Sequence, residues 1–218
     1  MNSHIEENYL KAIYKLSLSA NGAVSTSALA AEMGVQSASV TDMLKKLAAK
    51  KMIRYEKYHG VELSKTGMET ATRIVRKHRL WETFLVEKLG FGWGEVHDVA
   101  EQLEHVQSEK LVDSLDAFLD FPKVDPHGDP IPDKDGVVRK RQTKVLTELR
   151  PGERGIISAV KHDGKDLLDY LDRHDLVLDN QVEVMEILEF DGSMQLKVGG
   201  KTQYVSEKIA TNILVIKS

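Results

Sequence analysis

Four of the chain's five prolines fall within one stretch, FPKVDPHGDPIPDKDG at 121–136. No helix interior or central strand accommodates that density, because each proline removes a backbone N–H donor and fixes its own φ. The stretch therefore divides the chain, either as a linker or as an ordered, proline-stiffened loop. Its two sides carry different hydrophobic periods. Before it, apolar residues recur at helical spacing. After about Thr147 the runs GIISAV, VEVMEILEF, MQLKV, TQYV and NILVIKS read as strands. Asp191-Gly192 and Gly199-Gly200 mark hairpin turns, and one helix over about 165–174 interrupts the strands. The fold class is mainly α with β, ending in a small β-barrel.

The front half resolves further. Ile5, Tyr9, Ala12, Ile13 and Leu16 form one stripe, which predicts a helix over 3–20 with Asn8 at the stripe's edge and Asn21-Gly22 as its stop. A short helix over 27–33 ends at Gly34. A third helix over 37–49 buries Val40, Leu44 and Leu47. IRYEKYHGVELS then reads as two short strands turning at His59-Gly60. Helix, turn, helix and basic hairpin, in that order, make a winged helix-turn-helix.

The second helix of such a unit enters the major groove with its N-terminal end, where compact hydrogen-bonding side chains read base edges. Gln36, Ser37, Ser39, Thr41 and Asp42 suit that task. Lys45, Lys46, Arg54, Lys57 and His59 suit phosphate contacts. The formal charge of the 218 residues is −4, yet 36–57 holds six Lys or Arg against two acids. A basic patch in an acidic chain fits a polyanionic partner, and a solvated scaffold face reads the same way.

A long amphipathic helix is predicted over 65–89, with Ile74, Trp81, Leu85 and Leu89 inward and His78 and Glu82 beside that stripe. HDVAEQLEH at 97–105 is the next helical segment, followed by another helix to about Phe118. On a helix, His97, Glu101, Glu104 and His105 fall within an arc of about 100°, apart from Val99, Leu103 and Val106. Clustered carboxylates repel unless a cation lies between them. Imidazole with carboxylate suits Mn, Fe or Zn. The plainer alternative is a solvated face of ordinary i,i+4 pairs.

With no cysteine, disulfides, thiolate chemistry and zinc fingers are excluded. HExxH, paired ExxH, GxSxG, P-loop and dinucleotide fingerprints are all missing, so nothing points to an enzyme. MNSHIEENYL lacks the blocks of a signal peptide, and no apolar run spans a membrane, which leads us to expect a cytoplasmic protein.

RKHRL at 76–80, VHDVAEQLEHV at 96–106 with its E-x-x-E-H, and Pro126-His127-Gly128 behind a winged helix resemble the diphtheria toxin repressor family of metal-dependent transcriptional repressors. The likeness covers essentially the whole chain and is greatest to three-domain, manganese-responsive members. It implies a winged-helix DNA-binding domain at 1–72 and a helical metal-binding and dimerisation domain at 73–121. A Pro-rich linker at 122–147 and a Src-homology-3-like barrel at 148–218 would follow. It also implies a homodimer on a palindromic operator controlling metal uptake, with Mn(II), or alternatively Fe(II), as corepressor.

The resemblance places a primary metal site on Asn8, Glu101, Glu104 and His105. Glu101 leans to manganese, since iron-preferring members often carry Cys there. Asn8 departs from both patterns. Lys11 stands where small manganese sensors place a second carboxylate. A second site takes one of two forms: His78, Glu82 and His97 with barrel residues, or Glu82, Asp125, His127 and Asp163. The PHG segment and the HDG at 162–164 favour the latter. Trp81, Phe84, Leu85, Val99 and Leu103 are candidates for the dimer interface or for intrachain core. The competing function is a metal-independent winged-helix regulator whose barrel binds a small molecule or peptide.

Overall fold

The structure is a computed structural model that describes residues 3–18, 23–56, 59–139, 141–161 and 164–217. It divides into two compact units. One comprises Met1–His78, Glu104–Gln107 and Pro132–Val137. The other comprises Arg79–Leu103, Ser108–Ile131 and Val138–Ser218.

The first unit contains α1 (His4–Ser17), α2 (Thr26–Met33), α3 (Ser37–Ala49), the strands β1 (Ile53–Glu56) and β2 (Gly60–Leu63), and the first half of α4 (Lys65–Leu89). Ser3 and Glu6 cap α1 reciprocally: the Glu6 amide donates to Ser3 Oγ and the Ser3 amide to Glu6 Oε2. The helix stops at Ser17, short of the expected residue 20. The apolar stripe ends at Leu16, Leu18 is half exposed, and the Ser17 hydroxyl bonds back to the Tyr14 carbonyl at 2.7 Å. Asn21-Gly22 lies outside the described residues.

Leu10, Ile13, Leu29, Val40, Leu44 and Leu47 are fully buried in one core, each contributing about 1.5–3 kcal/mol of transfer free energy. β1 and β2 pair antiparallel, with Arg54 opposite Glu62, and Val24 bridges to Val61. Gly60 is the first residue of β2, so the wing's loop precedes it and is not centred on His59-Gly60.

The second unit contains the rest of α4, α5 (Val96–Leu103), α6 (Glu109–Phe118), and a six-stranded antiparallel sheet. Its strands are β3 (Lys144–Val145), β4 (Arg154–Val160), β5 (Gln181–Ile187), β6 (Met194–Val198), β7 (Lys201–Val205) and β8 (Ile213–Lys217), in spatial order β3-β8-β4-β5-β6-β7. The helix α7 (Lys165–Arg173) follows β4, and the short α8 (Glu207–Ala210) precedes β8.

In β6, Met194, Leu196 and Val198 are buried and alternate with Gln195 and Lys197, the period-two pattern of a half-covered strand. Gly199-Gly200 is the two-residue hairpin link read from the sequence. VEVMEILEF leaves the sheet at Ile187, and Phe190 stands in the following loop, 99% exposed. β3 and β7 end the strand order, and no pairing joins them among the described residues, so the sheet is not a closed barrel.

A smaller cluster packs Leu80, Leu115, Leu119 and Ile131 with Trp81, Phe84 and Val112. Leu85 is buried, and Val99 and Leu103 are half-buried. Leu89, expected on the inner stripe, falls in the last turn of α4 and is exposed. Residues 123–131 form an ordered loop. Val124 bridges to Pro130, and the Ile131 amide donates to the Lys123 carbonyl at 2.9 Å.

Candidate metal centre and nucleic-acid interface

The helix expected to carry the whole acid and histidine stripe ends at Leu103, so Glu104 and His105 lie in the turn beyond it. Their side chains are committed to groups of the first unit. Glu104 is fully buried and accepts from Lys11 Nζ at 2.8 Å on both oxygens, and its Oε2 lies 2.6 Å from His78 Nδ1. Burial acts to raise the Glu104 carboxyl, but the His78 hydrogen bond and the Lys11 charge outweigh it and hold the group below its ordinary value.

His105 Nδ1 meets Glu7 Oε2 at 2.8 Å, and its ring stacks on His4 with centroids 4.3 Å apart. Gln107 Nε2 donates to Glu7 Oε1 at 3.2 Å. Lys77 is buried nearby in charge terms. Burial pushes its ammonium down, against the pull of Glu7 and Glu104 upward. Asn8 Oδ1 is buried and has no hydrogen-bond partner among the described residues, as expected of an oxygen reserved for a ligand.

Of the expected primary set, then, Asn8, Glu104 and His105 belong to the first unit and Glu101 to the second. Their fit to a cation is mixed. Asn8 offers an orphan oxygen, whereas Glu104 already has an ammonium on it.

The second unit gathers the other set. Glu82, Asp125 and His127 are all buried, and each offers a ligand atom within 4.8 Å of the others. Glu82 comes from α4, and the other two from the proline-stiffened loop. Asp125 Oδ1 accepts the amides of His127 at 2.8 Å and Asp129 at 3.0 Å, which closes the loop around the Asp125 carboxylate. The loop is seated on β4, where the Val160 amide donates to the His127 carbonyl at 2.9 Å.

His127 Nε2 lies 3.3 Å from the Trp93 carbonyl. A carbonyl only accepts, so Nε2 donates to it, and Nδ1 lies 3.8 Å from Glu82 Oε2. Burial, then the Glu82 and Asp129 carboxylates, drive the Asp125 carboxyl well above its ordinary range, although Arg79 Nε approaches it to 3.4 Å. Two oxygen donors and one imidazole fit a divalent first-row cation.

His97 stands beside this set, with Nδ1 3.5 Å from Glu82 and Nε2 3.6 Å from Glu101. His78 belongs to the first unit, where its Nδ1 meets Glu104 Oε2 at 2.6 Å. Asp163 lies outside the described residues, as does Lys57. Sequence reasoning missed Glu7, His4, Lys77, Arg79 and Trp93. Glu7 alone carried a signal, as an acid adjacent to Asn8 on the same helix.

Along α3, Gln36, Ser37, Ser39, Asp42, Lys45 and Lys46 are exposed, as is Arg54 on β1. Thr41 is half-buried and returns its hydroxyl to the Ser37 carbonyl. Lys45 pairs with Asp42 at 3.1 Å. A groove lined by Ser25, Ser27, Ser37, Lys45, Tyr55 and His59 runs between this helix and the wing. Ser25, Ser27 and Tyr55 had not been anticipated.

A winged helix with an exposed polar recognition helix, in one chain with carboxylate and imidazole clusters, defines a metal-responsive DNA-binding regulator. Residues 2–61 match the iron dependent repressor N-terminal DNA-binding domain, 64–133 its metal-binding and dimerisation domain, and 144–217 the FeoA domain. The chain is similar to the HTH-type transcriptional regulator MntR of Oceanobacillus iheyensis, 34% identical over 55% of this chain and 80% of that one. It is also similar to the diphtheria toxin repressor of Corynebacterium jeikeium, 34% identical over 66% of this chain and 60% of that one. A solved manganese-dependent transcriptional repressor in complex with manganese superposes with a TM-score of 0.86 at 35% identity, over 98% of this chain and all of that one. The chain belongs to the iron-dependent, or diphtheria toxin, repressor family. It has a helical N-terminal DNA-binding domain, a helical dimerisation domain and a C-terminal β-sheet domain.

Proposed function

We propose that the protein is a metal-dependent transcriptional repressor whose corepressor is Mn(II), with Fe(II) as the alternative. The observation that carries this reading is the convergence of buried Glu82, Asp125 and His127 to within 4.8 Å. Asp163 would complete that set, and Asn8, Glu101, Glu104 and His105 form the second candidate set, with His78 and His97 ancillary. A divalent ion, when bound, would add positive charge between the Glu82 and Asp125 carboxylates and relieve their mutual repulsion. The chain's own residues do the rest. Asp125 fixes the loop, the Trp93 carbonyl orients His127, and Glu82 ties both to α4.

The manganese-bound structural neighbour and the hard donor set both favour Mn(II). The DNA contacts fall to Gln36, Ser37, Ser39, Thr41 and Asp42 for bases, and to Lys45, Lys46, Arg54 and Lys57 for phosphates. We read the assembly as a homodimer on a palindromic operator, since two recognition helices need a fixed half-site spacing. The six-stranded sheet, bulged in β4 and β5, we read as an open, Src-homology-3-like domain without enzymatic function. We read the domains as 1–72, 73–121 and 148–218, with a connecting stretch over 122–147 whose strand β3 joins the C-terminal sheet. No helix among the described residues is long and apolar enough to cross a membrane, in keeping with a cytoplasmic regulator.

The test is an electrophoretic shift on the protein's own promoter, in chelator and then with Mn(II), Fe(II) or Zn(II). Metal should switch binding on, and Glu82→Gln with Asp125→Asn should leave it off. Equal binding in chelator refutes the metal reading and leaves the metal-independent regulator.

A further inference from the structure

Glu104 has no exposed surface, and both its oxygens accept from one ammonium, that of Lys11 on α1, 93 residues away in sequence. His78 Nδ1 shares Oε2. Glu7, also on α1, holds His105 Nδ1 and Gln107 Nε2. The turn 104–107 is thereby tied to α1 by the chain's own charges and hydrogen bonds. Ligation by Glu104 requires the lone pairs that now face Lys11 and His78. Stripping one partner from a buried ion pair leaves an uncompensated charge, so an incoming cation must compete with the ammonium already there.

We propose that Lys11 is the built-in cation of the Glu104 cluster. It holds α1 to the 104–107 turn without metal, and it admits a divalent ion at Glu104 only in competition, so that Glu82–Asp125–His127 fills first. This rests on the reading that the protein binds Mn(II).

The experiment is a Mn(II) titration of the full chain, with unbound Mn(II) read by its electron paramagnetic resonance signal. In the unmodified protein one tight site is expected, lost in Asp125→Asn and unmoved by Glu104→Gln. Lys11→Met should tighten a further site by about tenfold or more, and adding Glu104→Gln should abolish the gain. Lys11→Arg keeps the cation and should match the unmodified protein, while thermal unfolding reports that each variant is folded. The proposal is overturned if Lys11→Met titrates like the unmodified protein, or if the tight site disappears in Glu104→Gln. A chain that takes up no Mn(II) in any form overturns the metal reading as well, and the Asp125→Asn comparison separates that case, because nothing is then left for it to lose.

Discussion

Gly128 is where the proline-stiffened loop touches the sheet most closely. Its φ is +87°, and a Cβ added there would stand 2.1 Å from the Ser158 carbonyl oxygen and 2.4 Å from Ala159 Cα. Gly128→Ala therefore incurs left-handed strain of about 1–2 kcal/mol and a backbone collision worth about 1–3 kcal/mol. β4 is paired on both sides, with β5 and β8, whereas the loop's only strand-like pairing among the described residues is the Val124–Pro130 bridge, so the loop yields. His127, the neighbouring residue, moves with it. If about 2 kcal/mol emerges as displacement of the donor set, Mn(II) affinity falls about thirtyfold. At a Mn(II) concentration giving the parent about 2.7 kcal/mol of stabilisation, the variant should gain less than about 1 kcal/mol. Thermal unfolding with and without Mn(II) measures this directly. Gly152→Ala is the control: its φ is +86°, yet nothing lies within 4 Å of the added Cβ. It should share the strain and keep the Mn(II) response. A Gly128→Ala protein with the parent's full response to Mn(II) would refute the placement of the loop as a ligand cradle.

The remaining predictions concern acid stability and the DNA face. Glu104 is held below its ordinary value of 4.5 in the fold. Its contribution is thus complete above that value and disappears as pH falls through the lower, folded value. Urea midpoints in metal-free buffer should drop on acidification more steeply for the parent than for Glu104→Gln, and parallel curves would contradict this. Lys46→Ala, on the exposed side of α3, should weaken binding to all DNA sequences alike and reduce the salt slope by about 1. Ser39→Ala should instead change the preferred sequence with the salt slope intact, as checked by shifts on scrambled half-sites.

The winged helix was legible because its order of parts depends on local signals: Gly34, the stripe Val40, Leu44 and Leu47, and the basic hairpin. The candidate ligands were legible as residue types, and the PHG segment pointed to Asp125 and His127. What periodicity could not show was which side chains close on which. A helical stripe across 97–105 was a fair reading of spacing, but α5 ends at Leu103, and Glu104 and His105 in the turn beyond it meet Lys11, His78 and Glu7. Lys11 was visible as a departure from a carboxylate. Its pairing with a residue 93 positions away was not, since nothing local encodes a contact of that range. Arg79 was likewise only a letter in RKHRL until the loop brought Asp125 and Asp129 against it.

The two acidic clusters begin from the same difficulty, carboxylates taken out of water, and resolve it in opposite ways. At Glu104 the chain supplies the cation itself, and the carboxyl is held down despite complete burial. At Asp125 one guanidinium at 3.4 Å does not suffice against burial, Glu82 and Asp129, and the carboxyl is driven up. A divalent ion gains most where positive charge is lacking and least where a lysine must first be displaced. On the proposed reading, metal therefore acts first at the set on α4 and the proline-stiffened loop, while the Lys11 cluster holds the 104–107 turn to α1 whether metal is present or absent.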